Sequence, residues 1–176
     1  MKRILSQRLF CSSDEIKFNT VIEIDDEGIV SKFLPLEDFN YEISGTQFFN
    51  GIITPSIISL RERTISGIYE SVSDKFKVFN LDKVNSSIAF DNICELLIFD
   101  CGTENINLVN NILLNCHNYI KEFNIIEIIK ALVFTPAKAL NIENRIKPGI
   151  KPELLLWTET ISPEDPGLKI LNIKSI

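Results

Sequence analysis

Residues 51–63 read GIITPSIISLRER and set two arginines, Arg61 and Arg63, two positions apart. On a strand-like stretch alternate side chains share a face, so this spacing predicts both guanidiniums on one side. There they can hold an anion through fixed N–H donors, or stand with Glu62 as solvated charges. Further along, Asp100-Cys101-Gly102-Thr103-Glu104 follows a short apolar run and offers two carboxylates. Asp100 and Glu104 are the candidates for acid–base work; helix capping or solvation is the other role open to them. His117, the one histidine, lies in a helical pattern beside Cys116 and reads as a surface or part-buried residue. The four cysteines, Cys11, Cys94, Cys101 and Cys116, lack the C-x₂₋₄-C spacing of a zinc cluster. Without an export signal they read as reduced thiols of a cytoplasmic protein.

The elements that must carry these residues differ between the ends and the middle of the chain. Residues 4–60 alternate and turn like an antiparallel sheet. Val21-Ile22-Glu23-Ile24 and Ile29-Val30-Ser31-Lys32-Phe33 flank an acidic turn that closes on Gly28, where a positive φ is free of steric cost. Phe48-Phe49 and Ile52-Ile53 flank Asn50-Gly51, the strongest short hairpin signal. Leu96 to Phe99 reads as a buried strand. Helical spacing begins at Asn107 with Leu108, Ile112, Leu113 and Cys116, and a second pattern starts at Ile125 behind Asn124-Ile-Ile-Glu127, a capping-box pattern. Thr135-Pro136 opens a third, short helix, with proline in the first turn. Strand character returns at Glu153–Trp157 and at Ile170–Ile173, after the turn Lys147-Pro148-Gly149. Residues 71–92 show only weak periodicity.

The net charge of −6 and a pI near 4.9 exclude a nucleic-acid partner, whose phosphates demand a basic surface. No stretch approaches the ~20 apolar residues of a membrane span, and the N-terminal MKRILSQRLF lacks the apolar run of a signal peptide.

Three stretches together resemble the amidohydrolase superfamily of metal-dependent hydrolases. Ile22-Glu23-Ile24-Asp25-Asp26-Glu27-Gly28-Ile29-Val30 is similar to the family's N-terminal hairpin, and Asn50-Gly51-Ile52-Ile53-Thr54-Pro55 to the strand that leads into its metal site. The third runs from Phe134-Thr135-Pro136-Ala137-Lys138-Ala139-Leu140 through Ile146-Lys147-Pro148-Gly149 to Leu154-Leu155-Leu156-Trp157 and is similar to the family's closing segment. The resemblance implies an α+β protein. In it a small β-sandwich is formed by N- and C-terminal strands, residues 1–58 and 141–176, around a shortened helical βα insertion at 59–140. Eight βα units need roughly 200 residues, and the segment from Arg63 to Thr103 is far too short for them, so no complete TIM barrel is expected.

Laid on the family pattern, Ser56 replaces a glycine, Ser59 an aspartate, and Arg61 and Arg63 the two metal-binding histidines. Imidazole offers a metal a neutral lone pair; guanidinium is permanently cationic and offers none. Gly102-Thr103-Glu104 is similar to the context of the family's catalytic aspartate, with Glu one methylene longer. The expectation is therefore a non-catalytic amidohydrolase-like protein without a metal or other cofactor, acting as a structural or partner-binding module. Apolar faces such as Ile125-Ile126-Ile128-Ile129 predict self-association as a homodimer, with a different protein as the other partner class. The alternative is a metal-dependent hydrolase of non-peptide carbon–nitrogen bonds, with an atypical site or one shared with another subunit.

Overall fold

In a computed structural model of the chain, residues 1–38, 45–63, 76–83, 97–161 and 169–176 are described. Their strands are β1 (Lys2–Phe10), β2 (Ile16–Ile24), β3 (Val30–Pro35), β4 (Thr46–Thr54), β5 (Lys77–Asn80), β6 (Leu97–Asp100), β7 (Leu155–Ile161) and β8 (Lys169–Ser175). The helices are α1 (Leu60–Arg63), α2 (Ile106–Asn115), α3 (His117–Ile120), α4 (Ile125–Ile129) and α5 (Thr135–Ala139). The fold is α+β, and the described strands close no barrel. The chain divides into two compact units: residues 1–56, 144–158 and 173–176, and residues 57–143 and 159–172.

The first unit is built on a mixed sheet of order β3-β2-β1-β4-β7-β8. Neighbours β1–β2, β2–β3 and β4–β7 are antiparallel, while β1 and β4 are parallel. That direct β1–β4 pairing joins the N-terminal hairpin to the C-terminal strands in one sheet. The β2–β3 turn follows its sequence: Asp25 Oδ1 accepts from the N–H groups of Glu27 (3.0 Å) and Ile29 (2.8 Å), and Gly28 takes φ +85°. Ile4, Leu9, Ile22, Ile53, Ile146 and Leu154 form the buried core of this unit. Arg3, Glu23 and Lys32 lie in register across three strands, and the buried Glu23 accepts from Arg3 Nε at 2.7 Å. Segment 146–150 is held by backbone bonds from Ile146 N–H to Cys11 O (2.9 Å) and from Gly149 N–H to Val30 O (2.8 Å).

Asn50-Gly51 does not turn the chain. β4 runs straight through it, and the register against β1 steps from Ser6↔Phe49 to Arg8↔Ile52. Two steps on β1 thus face three on β4, which is a β-bulge. Glycine is needed there for close approach: a Cβ at Gly51 would run into the backbone carbonyl of Trp157 and lie 2.9 Å from Leu156 Cδ1. A backbone atom cannot step aside, so Gly51→Ala is expected to lower stability by about 1–3 kcal/mol. Urea unfolding followed by the fluorescence of Trp157, the single tryptophan, measures it.

In the second unit β5 and β6 pair in parallel. Phe99 of β6 meets Phe79 and Phe123 edge-on, with ring centroids 6.4 and 5.2 Å apart. The expected capping box at α4 is present: Asn124 Oδ1 accepts from Ile126 and Glu127 N–H, and Glu127 Oε2 from Asn124 N–H. The short helix expected at Thr135-Pro136 is present as α5, with proline in its first turn, and a π-helical segment, Lys130–Phe134, leads into it from α4. Pro136 has no N–H to give the carbonyl four residues back. That carbonyl, on Leu132, instead accepts from Ile58 N–H at 3.2 Å. Of the apolar run expected to face a partner, Ile128 and Ile129 are buried and Ile125 and Ile126 are half-buried. No helix of the described residues is long and apolar enough to cross a membrane.

Candidate functional site

The residues singled out for chemistry converge within the second unit. Strand β6 is buried along its length and ends at Asp100. The loop that follows turns on Gly102 at φ +68° and leads into α2, which Asn105 caps by accepting from Asn107 (3.1 Å) and Leu108 (3.3 Å) N–H. Capping therefore falls to Asn105, and Asp100 and Glu104 are left for other contacts. Segment 57–63 lies against this loop, with Ile57, Ile58 and Leu60 buried.

Leu60–Arg63 is a helical turn, not a strand. Residues two apart on a helix point in different directions, and the two arginines part company accordingly. Arg61 Nε donates to Asp100 Oδ2 at 2.8 Å, and its terminal nitrogens form a two-pronged pair with Asp82, one bond being 2.8 Å. Arg63 pairs with both oxygens of Glu104, from Nη2 at 2.6 Å and from Nε. The anions at these guanidiniums are the chain's own carboxylates.

Asp100 is fully buried and well supplied with donors. Besides Arg61, its Oδ1 accepts from Ser59 Oγ (3.0 Å) and Gly102 N–H (3.1 Å). Ser59 N–H donates to Glu104 Oε1 at 3.0 Å, and Glu104 N–H to Glu62 Oε2 at 3.1 Å. Gly102 fits for a second reason beyond its φ: a Cβ there would strike the Arg61 guanidinium. Three segments, 57–63, the turn at Asp82 and the loop at 100–104, are thus tied through two arginines.

Hydrogen bonding from Arg61 holds the Asp82 carboxyl below the usual aspartate value, against the opposing effect of partial burial, and the same pair raises the Arg61 pKa. A carboxylate with a lowered native pKa stabilises the fold above its unfolded pKa and loses that contribution as pH falls through the native value. Stability of this unit is therefore expected to be level above about pH 5 and to decline below the ordinary aspartate pKa of about 3.9. Asp82→Asn should flatten that decline, which acid titration of the far-ultraviolet circular dichroism will read.

A hydrolytic metal does not fit these residues. Where the family resemblance sets imidazoles, Arg61 and Arg63 offer no lone pair, and the Asp100 carboxylate is already saturated with donors. Among the described residues, no three His, Cys, Asp or Glu side chains converge as a metal site. Cys11, Cys101 and Cys116 are buried free thiols, and Cys94 lies outside the described residues. Burial pushes the Cys11 thiol up to about 12, and those of Cys101 and Cys116 also rise, so none supplies a thiolate nucleophile at neutral pH. Cys116 Sγ donates to Leu81 O at 2.9 Å.

Sequence reasoning missed Asp82. It follows β5 on a 3₁₀ turn, Leu81–Lys83, in a stretch with little periodicity, and no local pattern ties it to an arginine twenty-one residues earlier. Against models of protein families, and against curated proteins, the chain has no match.

Proposed function

We propose that this protein is a non-catalytic, amidohydrolase-like module that serves a structural or partner-binding role, with a second copy of itself as first partner. One observation carries it. The two side chains at the positions of the family's metal-binding histidines are arginines committed to internal carboxylates, Arg61 to Asp82 and Asp100 and Arg63 to Glu104. A saturated ion-pair cluster leaves neither a Lewis acid nor a free base to activate water. The closed network instead stiffens the loop between β6 and α2, which suits a scaffold. Likeness of the first unit to the family's β-sandwich rests on the three sequence stretches and on strands contributed from both ends of the chain. For self-association, α2 exposes Leu108 and Leu114 by about half, apolar surface that a second copy would cover.

Protein purified from its native cell tests this directly, by elemental analysis and identification of co-purifying chains on the same sample. Divalent metal well below one equivalent per chain, no hydrolysis of a cyclic amide or aminopurine, and a dimer in sedimentation are expected. Stoichiometric metal with turnover of such a substrate would establish the alternative, a hydrolase of non-peptide carbon–nitrogen bonds. A monomer at tens of micromolar would remove the homodimer.

A further inference from the structure

The second unit contains a cavity of about 450 Å³, separate in its polar lining from the arginine network. Its volume falls in the range of small-molecule sites. Leu113, Ile120, Phe123 and Ile128 give it an apolar wall, and all four are buried. Its polar lining consists of His117, Lys121, Glu122, Asn124 and Glu159; of these, His117 and Lys121 stand four residues apart on one helical turn, with Lys121 N–H donating to His117 O at 2.9 Å. Side chains at that spacing lie over the same helix face, so both nitrogen-bearing groups border the cavity from one side. Glu122 and Glu159 are both exposed to solvent.

We propose that this cavity binds an amphipathic carboxylic acid, with its hydrocarbon body against the Leu113–Ile128 wall and its carboxylate between Lys121 and His117. An apolar wall of this kind gains from covering hydrocarbon. The head group is chosen by the ammonium of Lys121, a charged donor that a carboxylate satisfies and a neutral alcohol does not. His117 supplies a ring N–H to the second carboxylate oxygen. The site shares no residue with the Arg61–Asp100 network, and it shares Leu114 with the apolar surface offered for self-association.

Decanoate is the probe, followed by isothermal titration and by chemical-shift changes on the full chain. Saturable binding of one decanoate per chain is expected, with 1-decanol about tenfold weaker or worse. Lys121→Ala should weaken decanoate about tenfold and leave decanol unchanged. Ile125→Trp, at a half-buried cavity position, should abolish binding of both while circular dichroism reports an unaltered fold. Absence of saturable decanoate binding to folded protein would overturn the proposal. So would equal affinity for decanol, or binding that survives Ile125→Trp in a protein that still folds.

Discussion

Asp100→Ala should lower the stability of the second unit by about 3 kcal/mol, the lower end of what breaking a buried ion pair costs. The carboxylate is fully buried, and its loss strands Ser59 Oγ–H and Gly102 N–H, which have it as acceptor at 3.0 and 3.1 Å. Ser59 is buried, so its stranded hydroxyl carries its desolvation penalty in full, while the half-buried Gly102 N–H carries less. Arg61 keeps its pair with Asp82, which holds the loss to the lower end of the range. Asp100→Asn retains an oxygen for Ser59 and Gly102 and gives up the charge, so it should cost less than the alanine. Helix is carried by the second unit and the single tryptophan by the first. A urea titration followed in far-ultraviolet circular dichroism and in fluorescence therefore reads them separately. A shift of the dichroism midpoint is the expected result. Unchanged midpoints would show that the network around Arg61 contributes nothing to folding.

Trp157→Ala should be costlier still, about 3–5 kcal/mol, and its effect should fall on the first unit. Trp157 has no exposed surface, and its indole N–H donates to Thr54 Oγ1 at 2.8 Å. The pair sits where β7 meets β4, with Ile52↔Trp157 and Thr54↔Leu155 in register. Removing the ring opens a cavity where the N-terminal and C-terminal strands are joined. Trp157→Phe keeps most of the volume and loses the hydrogen bond, so it should fall well short of the alanine. Thermal unfolding by circular dichroism ranks the three proteins, because the variants carry no tryptophan to report.

Much of the local structure is legible in the sequence because its causes are local. Gly28 closes the β2–β3 turn, Asn124 and Glu127 cap α4, and apolar spacing after Asn107 marks α2, each through contacts spanning a few residues. Asn50-Gly51 misled for the same reason in reverse. The pair is good turn chemistry, but β1 on one side and β7 on the other hold the segment extended as a bulge. At Thr135-Pro136 the helix start is legible and present, but only tertiary structure supplies Ile58, seventy-four residues before Leu132, as donor to the carbonyl that proline leaves without one.

At the candidate site the division is sharper. By itself, the sequence determined that Arg61 and Arg63 cannot serve as metal ligands, since that follows from the electronic structure of guanidinium. It also determined the acidic balance of the chain, the Asn124–Glu127 cap of α4 and the strand that ends at Asp100. Tertiary structure alone decided where the arginines go. A one-turn helix, Leu60–Arg63, sends them apart, Arg61 toward Asp82 and Asp100 and Arg63 toward Glu104. Pairing of charges depends on distance in space, and the partners here are separated by twenty-one to forty-one residues of chain. No periodicity or motif encodes such a separation; packing of β5, β6 and the 57–63 segment around one core does.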